Sequence, residues 1–470
     1  MIRKDHPYLG IVAATTTGLL FWASRDTGSF GPLVLIAPIP WLAYALPAKR
    51  IVWIAVLSFL AGTLGRLGLI LAYIGVIPPA VLILWIIFLP LWFMGTVLLT
   101  RWLYRSASLW MALLAYPVFS TASEFLFNLI SPHGSFGSLG YSLIDLPVLV
   151  QAASIGGVAA LTFIGSLVPM AGTLFIISPR SRRHTVLLAG SSLIVILMFG
   201  AIRMEHGYDR QVAVSLIAID ALQDDDVKDE HTAQLNAKAY ADLIDTLAGT
   251  RPDIIVLPEK SLIRKPGWSD TGTLIRNAAE RHGISIVAGF NETLGDESHA
   301  NTAEFYHPMQ QNQRYLKRRL IPGLESEFVS GTENLIIGST GIAICKDMDF
   351  APAIRDYGRH GVQLMLIPAW DFSADARLHA RMAVVRGVEN GFAVVRAAAN
   401  GMLTVSDAYG QIIAEKATAK NSAVILSSSV GLRDGKTLYV LFGDVFSWLT
   451  VVSGVLLIIR GFGLTRKNLD

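Results

Sequence analysis

Gly341-Ile342-Ala343-Ile344-Cys345-Lys346-Asp347-Met348-Asp349 carries the single cysteine of a 470-residue chain. An apolar run that ends in a thiol and enters a cluster of charge reads as a strand delivering Cys345 to a polar turn. Neighbouring cations and carboxylates there set the reactivity of the sulfur. A free cysteine is otherwise mostly a small buried hydrophobe, so the reading depends on partners, and two upstream segments supply them. Asp253-Ile254-Ile255-Val256-Leu257 is a second apolar run ending in Pro258-Glu259-Lys260, and Tyr315-Leu316-Lys317-Arg318-Arg319-Leu320-Ile321-Pro322-Gly323 is a third. A carboxylate base, a lysine and a thiol, each at the end or edge of a strand-like run, form a constellation suited to acyl transfer.

Around these three runs the chain alternates strand-like and helical segments from Val212 onward, as in an α/β layered domain. Strands are expected at Val212 to Asp220, Asp253 to Glu259 and Ile284 to Phe290, and shorter strands or strand plus loop at Asn301 to His307 and Gln313 to Leu320. Further strands are expected at Leu335 to Cys345, interrupted by Gly338 and Gly341, at Val362 to Ala369, and at four short runs between Ala393 and Ser427. Helices are expected at His231 to Ala248, Asp270 to His282, Ala351 to His360 and Ser373 to Asn390. Asp220 to Asp229, with five aspartates, reads as a solvated loop.

The flanks are of another kind. They carry most of the hydrophobicity behind a mean hydropathy of +0.49. A bilayer core takes about 20 mostly apolar residues per helix, and seven such runs precede Arg203: roughly Tyr8 to Ala23, Phe30 to Leu46, Ile51 to Tyr73, Pro79 to Leu99, Ser108 to Ile130, Val148 to Ile177 and Thr185 to Ile202. An eighth runs from Leu438 to Ile459. Short cytoplasmic loops carry the excess of lysine and arginine. Arg3 and Lys4, Lys49 and Arg50, Arg101 and Arg105, and Arg180, Arg182 and Arg183 fall in alternate loops, whereas Ser131 to Pro147 has neither residue. Both termini are therefore expected in the cytoplasm and the α/β domain outside. The expected domains are 1–203, a bundle of about seven helices; 204–437, the external α/β domain; and 438–470, a last span with its tail. Arg66 and Glu124 lie inside spans, where charge is costly and faces protein, a wet cavity or a helix end. The Gly- and Pro-rich stretch Pro132 to Tyr141 is long for a turn and reads as an external loop or a substrate portal.

A net charge of +3 gives no reason to expect a nucleic acid partner. One cysteine excludes an internal disulfide and a multi-cysteine metal site. No ligand cluster or phosphate loop is present in the sequence, so neither a metal nor an organic cofactor is implied.

Leu257-Pro258-Glu259, Tyr315-Leu316-Lys317 and Ile344-Cys345-Lys346-Asp347 are similar, in order and spacing, to the Glu-Lys-Cys triad motifs of the nitrilase superfamily. With seven spans before and one after, the arrangement resembles the membrane-embedded apolipoprotein N-acyltransferase family. Gly137-Ser138-Leu139-Gly140-Tyr141, His379-Ala380-Arg381-Met382-Ala383-Val384-Val385-Arg386-Gly387-Val388-Glu389 and Ala399-Asn400-Gly401 add local matches. The resemblance implies an αββα nitrilase-like domain on a bundle of about eight spans in the bacterial inner membrane, with the catalytic domain periplasmic. It further implies Glu259 as base, Lys317 as oxyanion partner and Cys345 as nucleophile, with Glu325 and Asp347 in support. The acyl donor would be a phospholipid and the acceptor a diacylglyceryl lipoprotein. The chain departs from the family where Lys346-Asp347 replaces Tyr-Glu after the cysteine and where Pro368-Ala369-Trp370-Asp371-Phe372-Ser373 replaces Asn-Asp-x-Trp-Phe-Gly. Phe127 also stands where an arginine commonly follows the membrane glutamate. A membrane-tethered amidase with water as acceptor, an acyltransferase to another amine and a catalytically silent scaffold are the other readings of the same residues.

Overall fold

The computed structural model describes residues 6–467 except 107, 180, 181, 206, 221–226, 228 and 421, with 465–467 described by their backbone alone. Arg3, Lys4, Arg180, the side chains of Arg466 and Lys467, and the middle of the aspartate-rich segment lie outside the described residues. The chain divides into two compact units. One comprises Met1–Ser131, Ser135–Glu205 and Phe442–Asp470, and the other Pro132–Gly134 and His206–Leu441.

Among the described residues of the first unit, five helices are long and apolar enough to cross a bilayer by length and composition: Pro79–Ser106, Leu109–Ile130, Ala153–Ile177, Arg182–Met204 and Val445–Leu464. Gly31–Ala45 and Ile51–Gly65 are shorter apolar stretches. Helices satisfy their own backbone polar groups, which lipid cannot do, and they leave Ile87, Phe88, Leu187 and Val195 exposed, as hydrocarbon allows. The run expected at Ile51 to Tyr73 is broken at Arg66 into Ile51–Gly65 and Leu67–Ala72. The guanidinium explains the break: it is held by Asp26 at 2.8 and 2.9 Å and by the Gly137 carbonyl at 3.0 Å. Glu124 lies within its helix and accepts from Ser138 Oγ at 2.5 Å, Thr162 Oγ1 at 2.6 Å and Leu139 N at 3.0 Å. It thereby fastens the start of the 3-10 turn Leu139–Leu143, which replaces part of the expected loop. The last long apolar helix begins later than its hydropathy suggests. Leu438–Phe442 is a separate short helix, and Gly443, at φ 62°, turns the chain before Val445.

The described residues of the second unit form two sheets. The first has the order Ala423–Leu432, Arg210–Ile219, Ile254–Val256, Ser285–Thr293, His299–Tyr306 and Gln313–Leu316, with Leu262–Arg264 and Phe328–Val329 paired at its side. The second runs Ile412–Ala417, Met402–Ser406, Ala393–Ala399, Leu364–Trp370, Thr340–Ile342 and Leu335–Ile337. Alternation along the strands gives each sheet two apolar faces. Val212, Val214 and Leu216 cluster with Ile342, Leu366, Val395 and Val405 of the other sheet. Ile217, Ile255 and Ile286 instead meet Ala237, Tyr240 and Ile244 of Glu230–Leu247 and Ile275 of Gly272–His282. On the second sheet, Met365, Ile367 and Val394 meet Ile354 and Tyr357 of Ala351–Arg359 and Ala383 of Ala376–Asn390. The boundaries of these helices are local chemistry. Asp229 caps Glu230–Leu247 by accepting from Thr232 N at 2.8 Å, and Gly391, at φ 80°, ends Ala376–Asn390.

One expected strand is two. Leu335 to Cys345 forms the antiparallel pair Leu335–Ile337 and Thr340–Ile342, because Gly338 adopts φ 59° and reverses the chain. Only the second member continues towards the cysteine.

Candidate active site

Glu259, Lys317 and Cys345 reach one another from the ends of different strands. Glu259 follows Ile254–Val256, and its amide donates to Ala369 O at 3.3 Å, tying this turn to the end of Leu364–Trp370. Gly289 on the neighbouring strand makes room for it. A Cβ there would lie 2.3 Å from Pro258 O and 2.6 Å from the Glu259 Cα. Lys317 follows Gln313–Leu316, with its amide donating to Asn301 O at 2.9 Å and its carbonyl accepting from Gly331 N at 2.8 Å.

The Lys317 ammonium is wholly buried and lies between two carboxylates. It donates to Glu259 Oε1 at 2.7 Å and to Glu325 Oε1 and Oε2 at 3.0 and 2.9 Å. Asn301 Nδ2 bridges the same acids, at 2.6 Å to Glu259 and 2.8 Å to Glu325. Burial alone would favour a neutral lysine, but Glu259, Glu325 and Cys345 reverse this and raise its pKa. At Glu325 burial likewise opposes charge, yet Lys317, Lys260 and the Ile321 amide bring the carboxyl down to about 2. Lys260 lies 3.3 Å from Glu325 and stacks over the Phe328 ring at 4.3 Å. Sequence motifs gave no sign of Asn301 or Lys260. Asn301 sits in a strand whose alternation hides its inward polar face, and Lys260 reads as the tail of the glutamate motif.

Cys345 opens the 3-10 turn Cys345–Asp349 with φ 41°, a left-handed conformation that is strained for a residue with a side chain. Its thiol donates to Trp370 O at 3.4 Å. Burial pushes the thiol pKa well up and Glu259 pushes it further, while Lys317 and Arg396 pull it back. Asp347 secures the turn. Its carboxylate accepts from Ile344 N at 2.9 Å, Arg319 N at 2.8 Å, Arg318 N at 3.2 Å and Tyr315 Oη at 2.7 Å. One buried acid therefore joins the cysteine turn to the segment carrying Lys317. Burial raises the Asp347 carboxyl to about 6 despite these donors. Lys346 donates to His133 Nδ1 at 2.9 Å and lies 3.6 Å from Asp349.

Near the thiol lie residues that the sequence offers only as a departure, as part of a helix or as part of a strand. Asp371, buried, accepts from Arg396 Nη1 and Nη2 at 2.9 and 2.5 Å, and its carboxylate is 3.2 Å from His379 Nδ1. Arg386 donates to Met348 O at 3.0 Å and pairs with Glu389, so the helix Ala376–Asn390 braces the turn from below.

Residues 231–432 match the carbon-nitrogen hydrolase family. Fold and site thus define a carbon-nitrogen hydrolase domain of the nitrilase type. Residues 17–171 match the apolipoprotein N-acyltransferase N-terminal domain, and the two matches in this order, with relatives of that name, support identification of the chain with the apolipoprotein N-acyltransferases of the nitrilase superfamily. It is 23% identical to the apolipoprotein N-acyltransferase of Geobacter metallireducens over 98% of this chain and 87% of that protein. It is 25% identical to the enzyme of the same name from Pasteurella multocida over 76% of each. Among solved structures, Saccharomyces cerevisiae Nit3 of the nitrilase superfamily is similar at 20% identity and TM-score 0.41, covering 51% of this chain and 95% of Nit3. An amidase from Nesterenkonia sp. is similar at 20% identity and TM-score 0.39, covering 50% and 94%.

Proposed function

We propose that this chain transfers a fatty acyl group from a phospholipid to the N-terminal amine of a diacylglyceryl-cysteine lipoprotein, through a thioester on Cys345. The observation that carries the reading is the buried Lys317 ammonium, held at 2.7 Å by Glu259 and at 2.9 Å by Glu325 beside a lone cysteine in a left-handed turn. Similarity to apolipoprotein N-acyltransferases along nearly the whole chain supports the substrate pair.

Glu259 takes the thiol proton, and the Cys345 thiolate attacks the carbonyl carbon of the ester. Lys317 stabilises the oxyanion as charge develops, a contribution of about 3 kcal/mol for one well-placed donor. The C–O bond breaks, and the lysophospholipid alkoxide leaves with the proton from Glu259. The acceptor amine then attacks the thioester, Glu259 takes its proton, and the C–S bond breaks to give the amide and the free thiol. Glu325 holds Lys317 in place through both steps, and Asp347 holds the turn.

In this reading the two sheets and their helices form the αββα arrangement of the superfamily. The apolar helices form about eight spans in a bacterial inner membrane, over the expected segments 1–203 and 438–470. Lysine and arginine in alternate loops support cytoplasmic termini and a periplasmic catalytic domain, 204–437. The test is a transfer assay with phospholipid and a diacylglyceryl-cysteine peptide in detergent. Glu259→Gln, Lys317→Met and Cys345→Ala each lose at least about 100-fold in rate. Transfer retained by Cys345→Ala refutes the reading.

A further inference from the structure

We infer that Cys345, Asp371 and His379 form a site for a thiophilic divalent cation of the zinc type, whose binding caps the nucleophile. One donor atom from each residue lies within 4.8 Å of the other two. Thiolate, imidazole and carboxylate together are a donor set for tetrahedral Zn²⁺ or Co²⁺, with the fourth position left to water. His379 Nδ1 and Asp371 Oδ1 are 3.2 Å apart. That is about the separation of two ligands on one ion when bonds are about 2.0 Å long. The remaining donor separations close by side-chain rotation of roughly an ångström to reach Zn–S of about 2.3 Å.

The surroundings resemble the outer shell of a metal site. Arg396 fixes Asp371 through two hydrogen bonds, and Asp375 lies 3.6 Å from His379 Nε2. Such partners orient ligands and tune affinity. The imidazole thus stands between Asp371 and Asp375, with Asp349 acting on it electrostatically and Lys346 paired against Asp349. Cys345 and Asp371 are buried, whereas the His379 side chain is 14% exposed and is the donor an arriving ion meets first. Binding forms the metal–sulfur bond and releases the thiol proton to solvent, with no change of oxidation state. The thiol's contact with Trp370 O is lost, and the sulfur lone pair needed for attack on an ester is occupied.

The inference rests on Cys345 being the reactive thiol of the proposed function, and the experiment separates the two. The full chain in detergent is labelled with iodoacetamide, with and without Zn²⁺, and titrated in parallel with Co²⁺. Because Cys345 is the only cysteine, any thiolate-to-cobalt charge-transfer band reports on it alone. The expected result is labelling slowed at least tenfold by micromolar Zn²⁺, restored by EDTA, and a near-ultraviolet Co²⁺ band saturating at one equivalent. His379→Phe and Asp371→Asn each raise the Zn²⁺ needed by about tenfold or more. Brisk labelling that Zn²⁺ leaves unchanged, or no Co²⁺ band on the parent chain, overturns the metal site while leaving the thiol's reactivity intact. Equal protection in the parent and both variants overturns the ligand set. A thiol inert to iodoacetamide without metal overturns the reading beneath both.

Discussion

Lys317 is where the residue scale decides most. Its ammonium has no exposed surface and compensates two carboxylates at once, with Asn301 completing their hydrogen bonding. Removing one member of a buried ion pair leaves an uncompensated charge, at a cost of about 3–5 kcal/mol. Lys317→Met should therefore lower thermal stability as well as abolish transfer, whereas Cys345→Ala should abolish transfer with a small change in melting temperature. Melting curves of the two variants beside the parent check this contrast. Glu325 contributes a pH dependence of its own at the acid end. Its carboxyl stands at about 2 against an ordinary 4.5, a depressed value, so its contribution is fully present above pH 4.5 and is lost as pH falls towards 2. That shift amounts to about 3 kcal/mol. Glu325→Gln should flatten the acid limb of stability over that window, followed by tryptophan fluorescence. An acid limb unchanged in the variant contradicts the assignment.

At the scale of elements, two short turns set the geometry. The first is the cysteine turn, held by Asp347 through three backbone amides and one tyrosine hydroxyl. Unpaired buried donors cost about 1–3 kcal/mol each. Asp347→Ala should therefore be among the most destabilising single changes in the catalytic unit, and iodoacetamide labelling of Cys345 should lose its single rate as the turn loosens. The second is the Glu259 turn, which lies against Gly289 with no room for a Cβ. Gly289→Ala should cost about 1–3 kcal/mol, and should slow thioester formation more than it weakens substrate binding. This is read as a fall in kcat with KM little changed. What the sequence made legible here was the candidate set Glu259, Lys317, Cys345, Glu325 and Asp347, because strand-end motifs carry residue order. Asn301, Lys260, Asp371 and Arg396 were not legible as site residues. They gather from separate strands, and no spacing rule connects residues whose proximity is created by sheet pairing.

Across the whole molecule, the contrast between apolar flanks and an α/β centre was legible from hydropathy and alternation. Breaks within runs were not. Arg66 divides one apolar run because Asp26 and the Gly137 carbonyl hold its guanidinium, and Gly443 ends a short helix before the last long one. Such breaks depend on contacts distant in sequence. The proposed topology makes its own prediction. In a Cys345→Ala background, Gly295→Cys, exposed in the catalytic unit, should react with a membrane-impermeant maleimide in spheroplasts. Lys49→Cys, exposed between apolar helices, should react only after the membrane is opened. The reverse pattern would invert the proposed orientation.

The central claim is that Cys345 carries the acyl group between lipid and amine. Intact-mass spectrometry of the purified chain after incubation with phospholipid tests it most directly, with Cys345→Ala alongside. The account predicts a fatty-acyl mass increment on the parent alone, lost when a diacylglyceryl-cysteine peptide is added and recovered as N-acylated peptide. No increment on a parent chain whose thiol still reacts with iodoacetamide, or an equal increment on Cys345→Ala, would contradict it.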